Sequence, residues 1–540
     1  MSAINATGHQ QDISNNKLLS VLIFLSALYL AGLSSAPLWY DEAGTAWMAE
    51  LPIGRLITAT SGDTHPPLYL LLVAGVQRAA GSQPWALRLP SVVFALVCFY
   101  LVFKLSNELK LSNTAQALAL ILVMLSPFQL HYAQEARMYS LFQVEILAAL
   151  LFALRRQWLW LSLALVAALY THNYALIYLP VLACVSLAIE LRRELPGFLE
   201  EWRLDHASSH DYGLSYFVWI TNPIIAFICL VGELASGVLS HILKRCELDH
   251  ICLAYGLPLV AWLPWVAVLS QQMASVSGGY WIQPVTFGSV IDVLQNLIFF
   301  AFTLPDWMLP TSALVASGLL VWLFIKTLQH RERPALILWW VALAPLGLTI
   351  IASLAWRPLL LFRGLAPSVP LLLILVAWEL DRLSRARRLY ALTIILPLML
   401  ASLVGHYLWN PSHKENTQAY VSAIRTQWRE GDVMIHANEG TLMELHNQLP
   451  DLPQYILPRC SQNNLGGLSA VTRQAMGMVE AEPKRLAWSR AWFVWSWPPT
   501  VTQCEVDHAR AFLESYHYRL AYAIRNDEYV SANIWLVERR

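Results

Sequence analysis

Eleven windows of this chain are apolar over 15 to 21 residues, most of them long enough to cross a bilayer, and no other feature narrows the possible folds as much. A spanning helix needs about 20 apolar residues, within a range of roughly 17 to 25. Such stretches lie near 18–36, 87–106, 114–130, 139–154, 157–171, 173–190, 251–270, 311–329, 335–353, 359–379 and 389–408. With 57% of its 540 residues hydrophobic and 13% charged, the chain lacks the polar surface that a soluble protein of this size would need. It reads as a polytopic α-helical membrane protein with about 11–13 transmembrane helices. The 36 basic and 36 acidic residues cancel, which gives no electrostatic case for a nucleic-acid partner.

Charge in the loops sets the expected topology. Lys104–Lys110, Arg155-Arg156, Arg192-Arg193, Lys244-Arg245, Lys326–Arg333 and Arg382–Arg388 should all be cytoplasmic. That holds only if Pro67–Ala80 and Val290–Leu304 do not cross, so both are expected as helices on the outer surface. The stretch 216–240, with basic loops on both sides, is expected as a re-entrant hairpin or an interfacial helix. Met1–Asn16 is polar and lacks the features of a cleaved signal peptide, so the first span should be retained. The outer face then holds Ala36–Ala86, Gln129–Arg137, Gln271–Pro310 and everything after about Tyr407.

The tail differs in character. Residues 1–409 form the membrane domain, and 410–540 read as a small extracytoplasmic α/β domain. The tail has a helical run at 419–429 and strand-like runs at 432–437, 491–497 and 533–538. Of seven scattered cysteines, only Cys460 and Cys504 fall outside the apolar region, where an oxidising compartment would let them pair. None of the seven has zinc-site spacing.

The unusual polar residues all fall on the expected outer side. They are Asp41-Glu42; Asp63 and His65 ahead of Pro66-Pro67; His131-Tyr132 and Gln134-Glu135-Ala136-Arg137-Met138-Tyr139; Tyr170-Thr171-His172-Asn173-Tyr174; Tyr280-Trp281; and Arg363 at the mouth of a span. Ionisable side chains at a membrane surface mark function by default. Together they suit a charged headgroup whose tail stays in lipid. Each also has a plainer reading. Asp41 can cap a surface helix, and His65 can open an interfacial helix whose first turn tolerates proline. Arg88 and Arg137 can anchor at the membrane edge. His172, Tyr174, Tyr280 and Trp281 can belong to an aromatic belt.

The ordered elements WYDEAGT, DTHPPLYLLL, RLPSVVFAL, SPFQLHYAQEARMYSL and LYTHNYAL resemble the bacterial members of glycosyltransferase family 39, which includes protein O-mannosyltransferases and the lipid A aminoarabinose transferase. The resemblance covers about 18–190, with weaker echoes at LPWVAVLSQQ, YWIQP and LFRGLAPSVP. It implies a GT-C enzyme in the bacterial inner membrane that transfers a sugar from a polyprenyl-phosphate donor to a lipid, glycan or protein acceptor outside the cytoplasm. It also implies that Asp41 is the general base, with Glu42 beside it in the catalytic element.

A positioned base contributes roughly 100- to 10,000-fold, and direct attack on the anomeric carbon inverts its configuration. Arginine suits the leaving phosphate because its planar fork holds two oxygens without losing charge; Arg137 and Arg363 are the candidates, with His65 beside them. Glu135, Tyr139, His172, Tyr280 and Trp281 are expected to contact substrate. Asp63 and His65 match the place where some relatives bind a divalent metal ion. Some relatives carry an aspartate after the second-loop arginine, where this chain has Tyr139. A transporter or flippase of lipid-linked sugars would more often show repeated halves, and none is visible. A membrane-anchored binding protein acting through its tail would need only one span.

Overall fold

The computed structural model describes residues 24–208, 248–276, 282–408, 417–458, 468–481, 488–496, 507, 510, 511, 514, 518–524 and 532–539. The expectations for 216–240, for Tyr280 and Trp281, and for a Cys460–Cys504 pair lie outside them. The membrane part contains α1 (Tyr40–Glu50), α2 (Ile53–Gly62), α3 (Leu68–Ala80), α4 (Pro84–Glu108), α5 (Asn113–Met124), α6 (Pro127–Ala133), α7 (Tyr139–Leu154), α8 (Trp158–Thr171), α9 (Ala175–Ser208), α10 (Leu248–Val276), α11 (Phe287–Phe299), α12 (Leu309–His330), α13 (Arg333–Ala355), α14 (Ser368–Asp381) and α15 (Arg385–Leu408).

Among the described residues, six helices are long and apolar enough to cross a membrane: α4, α9, α10, α12, α13 and α15. The pair α5–α6, bent by 53°, adds a seventh if it is one broken span. The break follows from sequence, because Pro127 cannot donate to the preceding turn and Ser126 caps the new helix through the Gln129 N–H. The protein is thus a multi-pass membrane protein.

Three expected spans are shorter than a bilayer. The windows 139–154, 157–171 and 359–379 yield α7, α8 and α14, of 16, 14 and 14 residues. At about 1.5 Å per residue these helices fall short of the roughly 30 Å hydrocarbon core. α14 shows why its sequence still looks like a span: every residue from Ser368 to Leu380 is buried. It is apolar all round because it faces protein on every side. The two stretches expected not to cross form α3 and α11, each 13 residues long and too short to span.

Ion pairs tie the helices at one end of the bundle. Arg155 pairs with Glu108 at 2.6 Å, Arg388 with Asp381 at 2.9 Å and Arg382 with Glu332 at 2.5 Å, while Arg156 pairs with Glu190. Ser112, just after the 104–110 loop, donates to Asp381 at 2.6 Å and joins the two groups, so the expected basic loops among the described residues share one face, while Lys244-Arg245 lie outside them.

The tail forms α16 (Thr417–Gln427), α17 (Glu439–Gln448) and α18 (Ala470–Met476) with strands β1 (Val433–His436), β2 (Gln454–Ile456), β3 (Arg490–Ser496), β4 (Tyr518–Ile524) and β5 (Ala532–Arg539). The sheet order is β2-β1-β3-β5-β4. β1 pairs parallel with β2 and β3, while β5 pairs antiparallel with β3 and β4. Trp492, Phe493 and Val494 are fully buried and belong to the two small cores that the sheet encloses. The small α/β domain is present, with its helices α17 and α18 seated on α1 and α2.

Candidate functional site

Two short helices at the tail-side end deliver the acids. α1 opens with Asp41 in its first turn, and α2 stops at Asp63, whose N–H still bonds to the Thr60 carbonyl but whose own backbone is extended. Pro66 and Pro67 follow and start α3, so Asp63 and His65 sit on the tight connection between two helices. Arg137 lies between α6 and α7, with Tyr139 opening α7 and His172 ending α8. Arg363 sits on a 3₁₀ turn, Phe362–Leu365, just before α14.

These residues meet. The Arg363 guanidinium lies 3.7 Å from the Asp41 carboxylate, and both side chains are partly open, at 24% and 17% exposure. Arg137 is buried within electrostatic reach of Asp41, Asp63 and Glu135. The His65 and His172 rings are 5.3 Å apart. Tyr139 lies 5.9 Å from His172 and 4.5 Å from Tyr132. Arg137 Nε, Tyr139 Oη and His65 Nδ1 are buried with no hydrogen-bond partner among the described residues. Because an unmet buried polar atom is costly, three of them within electrostatic reach of Arg363 mark a place built for a polar ligand.

Burial decides the charge states. It pushes the Asp63 carboxyl above its usual range, partly offset by Arg137. Burial, then Arg137, the neighbouring His172 and Arg363, holds His65 well below the ordinary histidine value. His172 falls to about 3 through burial and then the two arginines. Both imidazoles are therefore neutral at pH 7. His65 can thus hydrogen-bond but brings no positive charge; Arg137 and Arg363 are the cations gathered here.

Glu42 requires a correction. It is completely buried and takes a bidentate pair from Arg88, Nε to Oε1 at 2.8 Å and Nη2 to Oε2 at 2.7 Å. Its Oε1 also accepts the Ala136 N–H at 2.9 Å. Arg88 spends its remaining donors on the carbonyls of Leu33, Ala36 and Pro37, at 2.6, 3.0 and 2.9 Å. The adjacent carboxylates thus divide: Asp41 faces Arg363, while Glu42 ties the segment before α1 to α4 and to the approach to Arg137. Glu42, expected in the catalytic element, is committed to this buried pair, and Arg88, only 1% exposed, is packed inside the protein and not at a membrane edge. Glu135 is likewise buried, 3.7 Å from His131, between this latch and the site.

A strap of three residues fixes the other walls. Asn173 donates to the Thr64 carbonyl at 2.9 Å, holding the turn that bears Asp63 and His65. Tyr174 Oη donates to the Leu359 carbonyl and accepts the Leu361 N–H, holding the segment that bears Arg363. A Cβ on Gly364 would come within 2.5 Å of the Tyr174 ring. Sequence reasoning counted Asn173 and Tyr174 in the outer-face polar cluster, with an aromatic belt as the plainer reading of Tyr174, and passed over Gly364, which directly follows Arg363.

The metal expectation finds little support in the side-chain set. Among the described residues, no three His, Cys, Asp or Glu side chains come together as an ion's ligands. Asp63 and His65 stand beside a buried guanidinium, which competes with a cation for the same carboxylate.

A family model described as dolichyl-phosphate-mannose-protein mannosyltransferase matches residues 64–196. No curated protein matches the sequence. Among solved structures, ArnT from Cupriavidus metallidurans in the apo state is similar over 97% of this chain and 98% of its own, at 14% identity and a TM-score of 0.54. The same protein bound to undecaprenyl phosphate is similar over 96% of this chain and 97% of its own, at 14% identity and a TM-score of 0.53. The likeness extends over the bundle and the tail alike.

Proposed function

We propose, with the GT-C glycosyltransferase fold as the premise, that this protein transfers a sugar from a polyprenyl-phosphate donor to an acceptor hydroxyl on the extracytoplasmic side of the membrane. The observation that carries this reading is the meeting of Asp41, Arg363 and Arg137 at the tail-side end of an apolar bundle. The undecaprenyl phosphate bound by ArnT supports the donor class, and the mannosyltransferase family model supports the reaction class.

The chemistry follows from the geometry. A phosphate drawn to Arg363 arrives beside the Asp41 carboxylate, because the two groups are only 3.7 Å apart. Arg137 takes the other side of the phosphate and has a free Nε to offer. The acceptor oxygen attacks the anomeric carbon as its bond to the phosphate oxygen breaks, and Asp41 takes the hydroxyl proton. Charge that builds on the departing phosphate is met by fixed guanidinium groups in a site with little water. Neutral His65, neutral His172 and Tyr139 can hydrogen-bond sugar hydroxyls without competing for the phosphate. One base and one displacement leave the sugar inverted.

Replacing Asp41 by Asn tests the assignment. Transfer from a labelled polyprenyl-phosphate sugar in proteoliposomes should fall by roughly 100- to 10,000-fold, while mass spectrometry still finds polyprenyl phosphate co-purifying with the variant. Undiminished transfer would remove Asp41 as the base. Absence of any such lipid from the wild-type protein would count against the donor class.

A further inference from the structure

The helices that carry the two site acids are gripped by the tail domain within one turn of each acid. Gly44 stands three residues after Asp41, and a Cβ there would lie 2.9 Å from Met443 Sδ in α17. Gly62 directly precedes Asp63. A Cβ there would collide with Ser469 Oγ, lie 2.5 Å from Thr472 Oγ1 and lie 3.0 Å from the Thr472 backbone nitrogen. Between them, Arg55 of α2 donates Nε and Nη2 to the Ala475 carbonyl at 2.9 and 2.6 Å. Thr472 Oγ1 donates to the Ala59 carbonyl at 2.9 Å, and Trp47 of α1 stacks on His446 of α17 at 3.7 Å.

This is not the contact of a domain swinging on a linker. Leu442, Met443, Ala475 and Met476 belong to the same continuous apolar core as the bundle helices, whereas the sheet keeps two small cores of its own. A freely moving binding domain would present a polar, separable surface to its neighbour. Here the face that touches α1 and α2 is buried as interior.

We infer that the tail domain is a positioning part of the transfer site, its helices α17 and α18 fixing the separation of Asp41 and Asp63, with Arg55 and Gly62 as positioning residues. The inference rests on the transferase reading and adds to it a task for the tail that requires no contact with substrate. The two glycines should differ in sensitivity. At Gly44 the obstacle is the end of a flexible methionine, which can turn aside. At Gly62 it is a pair of hydroxyls and a backbone nitrogen, which cannot.

The test uses the full-length protein in lipid nanodiscs with a polyprenyl-phosphate sugar donor. Gly62→Ala and Arg55→Ala should each lower kcat per folded molecule about tenfold or more while donor KM stays within about twofold, since shifting Asp63 disturbs the field of its neighbours Asp41 and Arg137 and a small misplacement in a site is expensive. Gly44→Ala should remain close to wild type, and Arg55→Lys, which keeps one donor for the Ala475 carbonyl, should recover part of the loss. Amide hydrogen exchange over 40–63 should quicken in the two damaging variants. Faster exchange with unchanged kcat, or no change in either, overturns the inference. If the wild-type protein transfers no sugar, the functional reading fails, and exchange alone then decides whether the tail holds these helices.

Discussion

Removing Arg88 or Glu42 should unfold the entrance to the site, and removing both should restore it. The pair is buried to 1% and 0% exposure, with two hydrogen bonds between the partners and four more to backbone groups. Taking away one partner of such a pair strands a charge away from water, which costs about 3–5 kcal/mol, whereas replacing both by apolar residues of similar volume is often neutral. Arg88→Met and Glu42→Leu should therefore each lower the thermal stability of the purified protein steeply and reduce transfer with it. The double variant should recover much of that stability, less the loss at Leu33, Ala36 and Pro37, whose carbonyls no longer have the guanidinium. Transfer is the discriminating measurement. If Glu42 only holds the chain, activity returns with stability in the double variant. A double variant that is folded, retains donor lipid and transfers nothing would show that Glu42 takes part in the chemistry, and the division of labour between the adjacent acids would be refuted.

Gly364→Ala should force the Tyr174 ring and the Arg363 turn apart, because the ring is held by hydrogen bonds to Leu359 and Leu361 and cannot swing clear. Donor KM, measured in the transfer assay, should rise about tenfold, and an unchanged KM would detach Tyr174 from Arg363. In the tail, His436 is fully buried between Thr441 and Gln454, and burial lowers its pKa to about 3. Its folded value lies below the unfolded one near 6.5, so the unfolded chain binds the extra proton and stability is lost as pH falls from about 6.5 towards 3. By pH 5 this amounts to about 2 kcal/mol. Hydrogen exchange in β1 and α17 should show that acid-side loss in the wild type, and His436→Gln should flatten it.

Much of this was legible in the sequence, for identifiable reasons. Spans such as α12, α13 and α15 are long, apolar and largely uncovered by protein, so composition alone finds them. α14 deceived that test because burial in protein and burial in lipid select the same side chains. The members of the site could be listed because charged groups near a membrane are scarce. Their roles could not, since Asp41 and Glu42 are adjacent in sequence but point to different partners, and Arg88 is 46 residues from Glu42. The contributions of Gly62 and Gly364 were hidden because a glycine's meaning lies in the neighbour it admits, and both neighbours come from distant chain segments.

The 16-residue α7 is outreached by the 25-residue α4 at the end that holds the site. Its far end is level with that of α4, because Arg155 and Glu108 are paired there, and near the site the Ser91 hydroxyl meets the Arg137 carbonyl. α4 then continues from Ser91 back to Pro84, which at 1.5 Å per residue is roughly 10 Å of helix rising past Arg137. The Arg137 backbone therefore lies about two helical turns below the start of α4, and the buried Arg88–Glu42 pair stands about one turn above it on the same helix, so the latch and the site share one stretch of α4.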